Sequence, residues 1–192
     1  MELILVMLAS YFMGSIPFGY ILTKLFLKKD IRNIGSGNIG ATNALRTGNK
    51  TIGYATLIFD ILKTIIPLLI IKLFMYEYLY LSSLAIFIGH VFPVWLKFKG
   101  GKGVATYIGI LFCINYILAF IFALSWIIVF LIFRFASLSS LVATLFIPIY
   151  QIIFNNDESY YFFIIMFILV FYTHRENIKR LINNTESKTE IY

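Results

Sequence analysis

The run VATYIGILFCINYILAFIFALSWIIVFLIF, from Val104 to Phe133, decides the fold. It holds 30 residues and no charge. A hydrocarbon core about 30 Å thick is crossed by about 20 helical residues. A single helix using the whole run would have to tilt steeply. Asn115 and Tyr116 lie inside it, where a tight turn divides it into a short segment and another starting at about Ile117.

The same ruler applied outward gives seven apolar segments. The first is about Leu3–Leu22, the second Ile52–Phe74 and the third Tyr78–Leu96. The two halves of the long run are the fourth and fifth. The sixth is about Leu138–Phe154 and the seventh Tyr160–Thr173. The N-terminal stretch starts with Glu2 rather than a basic region and has no small-residue cleavage site, so it reads as a retained span and not a signal peptide.

The charges test the count. With the N-terminus outside, the inner side receives Lys24, Lys28, Lys29, Arg32, Arg46 and Lys50, then Lys97, Lys99 and Lys102. Arg134 and the tail residues Arg175, Lys179, Arg180 and Lys188 join them. Lys72 alone falls outside, with Glu2, Glu77, Asp157 and Glu158, and Lys63 lies within a span. This asymmetry predicts an all-α integral membrane protein of about seven transmembrane helices, some short, with the N-terminus out and the C-terminus cytoplasmic. Fusing the fourth and fifth segments would put the tail and the Lys97–Lys102 cluster on opposite sides.

Composition agrees. The chain is 60% hydrophobic and 13% charged, where a soluble domain has roughly 45–50% apolar and about 25% charged residues. That excludes a soluble globular domain, a disordered chain and a disulfide scaffold. The net charge of +7 sits in short connections between apolar runs, a pattern for the membrane interface and anionic ligands rather than nucleic acid. Cys113 is the one cysteine and reads as a packing residue. The chain forms one membrane-embedded domain over 1–192, with a polar C-terminal tail from about 182.

Glycine and charge concentrate in two inner loops. One reads Gly35-Ser36-Gly37-Asn38-Ile39-Gly40-Ala41-Thr42-Asn43-Ala44-Leu45-Arg46, the other Gly100-Gly101-Lys102-Gly103-Val104-Ala105-Thr106. Glycine lets main-chain N–H groups converge on an anion, and a following helix adds its positive end. Both loops read as phosphate cradles, with Ser36, Thr42 and Thr106 supplying hydroxyls and Arg46 and Lys102 charge. Neither is a Walker A motif, since the residue after Lys102 is Gly, and neither follows a strand.

A third cluster, His174-Arg175-Glu176-Asn177-Ile178-Lys179-Arg180-Leu181, closes the last span. On a continuous helix His174, Asn177 and Leu181 share a face. His174 can bind phosphate or accept a proton near neutral pH. Ser137-Leu138-Ser139-Ser140 offers a helix cap or hydroxyls for a ligand. Asp60 and Lys63, one turn apart in the second span, read as a structural ion pair facing protein or water, and His90 as a hydrogen-bonded helix partner.

These clusters, with Gly14-Ser15-Ile16-Pro17-Phe18-Gly19, Asp60-Ile61-Leu62-Lys63 and Gly89-His90-Val91-Phe92-Pro93, resemble the acyl-phosphate:glycerol-3-phosphate acyltransferase family, PlsY, in the same order along nearly the whole chain. The resemblance implies a multi-pass bacterial plasma-membrane enzyme with a cytoplasmic active site. It would move a fatty acyl group from acyl phosphate to the 1-hydroxyl of glycerol 3-phosphate, giving lysophosphatidic acid and inorganic phosphate. It further implies that Ser36, Arg46, Lys102, Ser140, His174 and Asn177 hold glycerol 3-phosphate. Gly37, Asn38, Gly40, Thr42, Asn43, Gly101 and Gly103 join them as substrate-binding residues, the main chain of Gly37–Thr42 with Asn38 taking the acyl phosphate. No cofactor or metal is expected, and association with an acyl-phosphate-producing enzyme is a further expectation. One departure is visible: Asn184 stands where the family has glycine after Arg180-Leu181, and Asn tolerates left-handed geometry best among the other residues.

Acyl phosphate already carries a good leaving group, so positioning and charge neutralisation are enough and no acyl-enzyme is needed. A His-x4-Asp acyltransferase is excluded because His90 precedes Trp95, and His174 precedes Lys179, at the decisive spacing. Asp30, Asp60 and Asp157 are too isolated for a metal-binding aspartate cluster. The alternative from another class is a transporter of an anionic phosphorylated metabolite, since short broken spans and basic loops also build such sites.

Overall fold

In lipid, each backbone N–H and C=O must be satisfied within its own segment, which leaves helices as the form for isolated apolar runs. The computed structural model, which describes residues 1–155 and 158–189, is helical throughout, with no strand among the described residues. Asp157, expected on the outer side, lies outside them, as do residues 190–192. The chain divides at the expected turn into two compact units, 1–114 and 115–192.

In the first unit, the single span expected over Leu3–Leu22 is two helices, α1 (Glu2–Gly14) and α2 (Phe18–Leu27). Pro17 has no N–H to continue the ladder, so the chain turns at Ser15–Pro17. Next come a 3-10 turn at Ile31–Asn33, α3 (Ala41–Leu45) and α4 (Lys50–Phe74). Asn49 caps α4 by accepting the Ile52 N–H at 3.1 Å. A 3-10 turn at Tyr76–Tyr78 leads into α5 (Leu79–Val91), which stops before Pro93. The final helix of this unit is α6 (Val104–Ile114).

Small residues let these helices meet backbone to backbone, as membrane helices do without a hydrophobic drive between them. A Cβ on Gly14 would overlap the Ile86 carbonyl of α5, and one on Gly89 the Tyr11 carbonyl of α1. Gly109 of α6 likewise abuts Ile61 and Thr64 of α4. Buried hydroxyls return to carbonyls one turn back, Thr56 to Ile52 at 2.7 Å and Ser83 to Leu79 at 2.8 Å. Lys72 donates to the Cys113 carbonyl at 2.7 Å, capping the negative end of α6.

In the second unit, Asn115 caps α7 (Tyr116–Phe133), accepting the Ile117 N–H at 2.9 Å. After Arg134, in left-handed geometry with φ 63°, follow α8 (Ala136–Tyr150), a π-helical turn at Gln151–Asn155, α9 (Tyr160–Thr173) and α10 (Arg175–Ile182). Among the described residues four helical stretches are long and apolar enough to cross a membrane: Glu2–Leu27, Tyr76–Leu96, Tyr116–Phe133 and Ala136–Asn155. Val104–Ile114 and Tyr160–Thr173 are shorter apolar helices.

Candidate active site

The first glycine-rich loop is organised by one buried amide. Asn43 Nδ2 donates to the carbonyls of Ile31, Ile34 and Asn38 at 3.2, 2.9 and 2.7 Å. Its Oδ1 accepts the Ser36 N–H at 3.0 Å. Gly35, at φ 52°, is glycine for two reasons: a Cβ there would press on Asn43 Oδ1 and on the Arg46 stem. Asn43 thus brings Ser36 and Arg46 together on one short loop with both side chains exposed. Its own amide is spent on the backbone.

The N–H of Gly37 donates to Ile34 O at 2.9 Å and that of Gly40 to Asn38 Oδ1 at 2.8 Å. With Ser36 N–H on Asn43, three main-chain donors are consumed inside the loop. The loop also carries the exposed hydroxyls of Ser36 and Thr42 and the exposed side chain of Arg46. Beside the loop, Arg32 grips Asp30 at 2.7 Å and holds that carboxyl down at about 2.

The second loop lies flat on the end of α5. Gly100 N–H donates to Val91 O at 3.0 Å and Gly101 N–H to His90 O at 3.1 Å. A Cβ on Gly101 would overlap the His90 ring, and one on Gly103, at φ 85°, the Phe87 ring. These glycines are required by close packing on α5, with Lys102, half-buried, held between two of them.

Behind this loop sits a buried ionic cluster. Lys63 Nζ reaches Asp60 Oδ1 at 2.8 Å and donates to Ile16 O at 2.6 Å and His90 Nδ1 at 3.0 Å. The ion pair read from the sequence is present and His90 is its third member.

The second unit carries the remaining residues. His174 occupies the junction of α9 and α10 rather than the interior of a continuous helix. Its Nδ1 lies 2.8 Å from Val170 O. A carbonyl only accepts, so Nδ1 bears the proton, and in the neutral ring Nε2 is the basic nitrogen. The side chain is buried.

Asn177 Nδ2 donates to Glu186 Oε1 at 2.6 Å, while its Oδ1 is buried with no hydrogen-bond partner among the described residues. Ser140 donates to Ala136 O at 2.8 Å and accepts the Trp126 indole N–H at 3.0 Å. Ser137 does not cap α8; it donates to Glu186 Oε1 at 2.7 Å. Arg180 Nε meets Glu186 Oε2 at 2.6 Å. Burial pushes the Glu186 carboxyl up, but the hydrogen bonds from Ser137, Asn177 and Arg180 and the Arg180 charge outweigh it and leave it below the usual carboxylate range.

Two residues that contact the predicted site residues receive no role from the sequence, Glu186 and Trp126. The tail past Ile182, read as a plain polar extension, folds back through Glu186, and Thr189 N–H donates to Arg134 O at 2.8 Å. Glu186 stands two residues after the unusual Asn184. No group of three or more His, Cys, Asp or Glu able to hold a metal occurs among the described residues.

The family model for glycerol-3-phosphate acyltransferase matches residues 4–184. The glycerol-3-phosphate acyltransferase of Pelagibacter ubique is 64% identical over 192 residues, 100% of both chains. That of Brucella canis is 50% identical over 179 residues, covering 93% of this chain and 89% of its own. The crystal structure of PlsY, an integral membrane glycerol 3-phosphate acyltransferase, in its glycerol 3-phosphate form superposes with a TM-score of 0.92 at 36% identity, over 99% of this chain and 96% of that one. The lysophosphatidic acid form gives 0.88 at 34% identity, over 98% and 95%. None of these relatives is a transporter, and the transporter alternative has no support among them. With its apolar helices and these relatives, the protein is a multi-pass membrane protein and belongs to the glycerol-3-phosphate acyltransferase family.

Proposed function

We propose that this chain acts as one acyltransferase domain, moving a fatty acyl group from acyl phosphate to the 1-hydroxyl of glycerol 3-phosphate. The hydroxyl oxygen bonds to the acyl carbon, the carbon–oxygen bond to phosphate breaks, and inorganic phosphate departs with the electron pair. The observation that carries this reading is the family match over residues 4–184. The chemistry of the two loops supports it: the first offers the Ser36 and Thr42 hydroxyls and Arg46, the second Lys102, while the Thr106 hydroxyl is fully buried.

In this reading Ser36, Arg46 and Lys102 neutralise the phosphates of the substrates, with Gly37, Asn38, Gly40 and Thr42 shaping the acyl-phosphate seat and Gly101 and Gly103 carrying Lys102. Asn43 acts by holding the first loop. His174 Nε2 takes the hydroxyl proton, as the tautomer fixed by Val170 O allows. Asn177 Oδ1 and Ser140 orient the glycerol. The chain crosses the plasma membrane seven times with its N-terminus outside, which puts the basic loops and the tail in the cytoplasm. Acyl phosphate, an intermediate poorly stable in water, favours delivery by the enzyme that makes it.

The test is direct. Purified protein in detergent, given acyl phosphate and glycerol 3-phosphate, should release inorganic phosphate and form lysophosphatidic acid, with no product from acyl-CoA. Absence of acylated product with acyl phosphate would refute the assignment.

A further inference from the structure

We propose that Asp60, Lys63 and His90 are positioning residues for this transfer, fixing where the Gly100–Gly103 loop rides on α5 and so where Lys102 stands. The inference rests on the acyl-transfer reading above.

An ammonium has three N–H donors. Lys63 donates to the Ile16 carbonyl at the break between α1 and α2 and to His90 Nδ1 on α5, and pairs with the Asp60 carboxylate one turn back at 2.8 Å. Asp60, Lys63 and His90 are 2%, 4% and 4% exposed. Charges inside a membrane segment are costly. Replacing a buried ion pair by apolar side chains is often neutral or favourable for stability, so stability alone is a poor reason to place one here. What the cluster does hold is geometry.

His90 is where that geometry leaves the cluster. Since Lys63 donates to Nδ1, the proton of the neutral ring sits on Nε2, and Nε2 is the ring edge that faces Gly101. The same residue's carbonyl accepts the Gly101 N–H at 3.1 Å. Gly103 rests on Phe87 one turn earlier in α5. Lys102 therefore stands between two glycines that are each seated on α5, and only the His90 seat is tied to buried charge. Releasing the ring from Lys63 lets that seat move while the Phe87 seat stays, which rotates the short segment carrying Lys102. A displacement of about 1 Å in a positioning group is enough to cost about a hundredfold in rate.

The experiment compares wild type, His90→Leu and the double variant Asp60→Leu/Lys63→Met, which removes both charges together. Each is assayed for KM of glycerol 3-phosphate, KM of acyl phosphate and kcat, beside its melting temperature in detergent. The expected result is a rise of about tenfold in KM for glycerol 3-phosphate with KM for acyl phosphate within about twofold. In a Lys102→Met background the same substitutions should add less than about twofold, because the group they position is gone. A structural role alone would lower the melting temperature and the active fraction and leave both KM values unchanged; that result in either folded variant overturns the inference. Full additivity with Lys102→Met also overturns it. Should wild type itself make no product, the acyl-transfer reading fails and this inference with it, an outcome distinct from an active wild type with insensitive variants.

Discussion

Glu186 Oε1 and Asn177 Nδ2 lie 2.6 Å apart, and through this bond the C-terminal segment is part of the candidate site. The same carboxylate accepts Ser137 of α8 and pairs with Arg180 of α10. Asn177 is thereby fixed in rotation, with Nδ2 committed and Oδ1 turned to the other side. A side-chain amide pinned through one end presents the other in a defined orientation, the preorganisation that positioning a hydroxyl needs.

Glu186→Gln should therefore cost both stability and rate. The amide loses the charge that faces Arg180 and places a donor where Asn177 or Ser137 also donates. The expected loss is on the order of 2 kcal/mol, read as a lower melting temperature in detergent, with kcat reduced by more than about tenfold. The pH dependence follows from the sign of the shift. The folded-state carboxyl is lowered from its ordinary 4.5, so its contribution is fully present above that value and lost as pH falls through the folded pKa. Wild type should lose stability below about pH 4.5, and Glu186→Gln should flatten that limb. The exposed Asp30–Arg32 pair has the same sign but is screened by water. An unchanged acid limb in the variant would assign it elsewhere.

His174→Gln should abolish a proton acceptor while keeping a polar side chain. If Nε2 takes the hydroxyl proton, the wild-type kcat/KM should rise with pH as the ring becomes neutral. The variant should be about 100- to 10,000-fold slower and lack that rise. Persistence of the rise in His174→Gln would move the role of base to a substrate phosphate oxygen.

Much of this was legible from sequence because membrane rules are strict. Asn115 announces its turn: one capping side chain inside an uncharged run is the cheapest place to break it, and it is also where the two units part. Asp60 and Lys63 had to pair, since lipid leaves a charge few partners. Asn184 adopts φ 55°, the left-handed geometry its tolerance suggested. Other features depend on contacts between distant segments. Nothing local says that Glu186 returns to Ser137, that Trp126 holds Ser140, or that Gly101 is glycine because His90 lies against it. The break at Pro17 was obscured by continuous hydrophobicity on both sides.

Helix packing in the first unit gives a sharper test of glycine. Gly14→Leu and Gly89→Leu each place a side chain in the backbone of the facing helix, Gly14 on Ile86 and Gly89 on Tyr11 and Ser15. Each should cost about 3 kcal/mol or more, the upper range for overpacking, seen as loss of monodisperse protein in detergent. Gly48→Ala is the control, since a Cβ there meets nothing, although its φ of 85° carries a backbone cost of about 1 kcal/mol. Equal behaviour of the three variants would mean that α1 and α5 are not held by close approach at these glycines.

Topology can be tested without perturbing the site. Cys113 is buried, so cysteines introduced at exposed Lys28, Lys99, Lys188, Glu2 and Glu77 can be read over a low background. In intact cells a membrane-impermeant thiol reagent should label Glu2→Cys and Glu77→Cys, and label Lys28→Cys, Lys99→Cys and Lys188→Cys only after the membrane is opened. The inner three sites follow spans one, three and seven, so they share a side only if the charge-free run crosses twice. Joining the halves of that run across Asn115 would move Lys188 to the outer face and leave Lys28 and Lys99 inside. External labelling of Lys188→Cys alone would therefore refute seven crossings while sparing the loop assignments. External labelling of Lys99→Cys would instead separate the two basic loops and end the case for a shared phosphate-binding face.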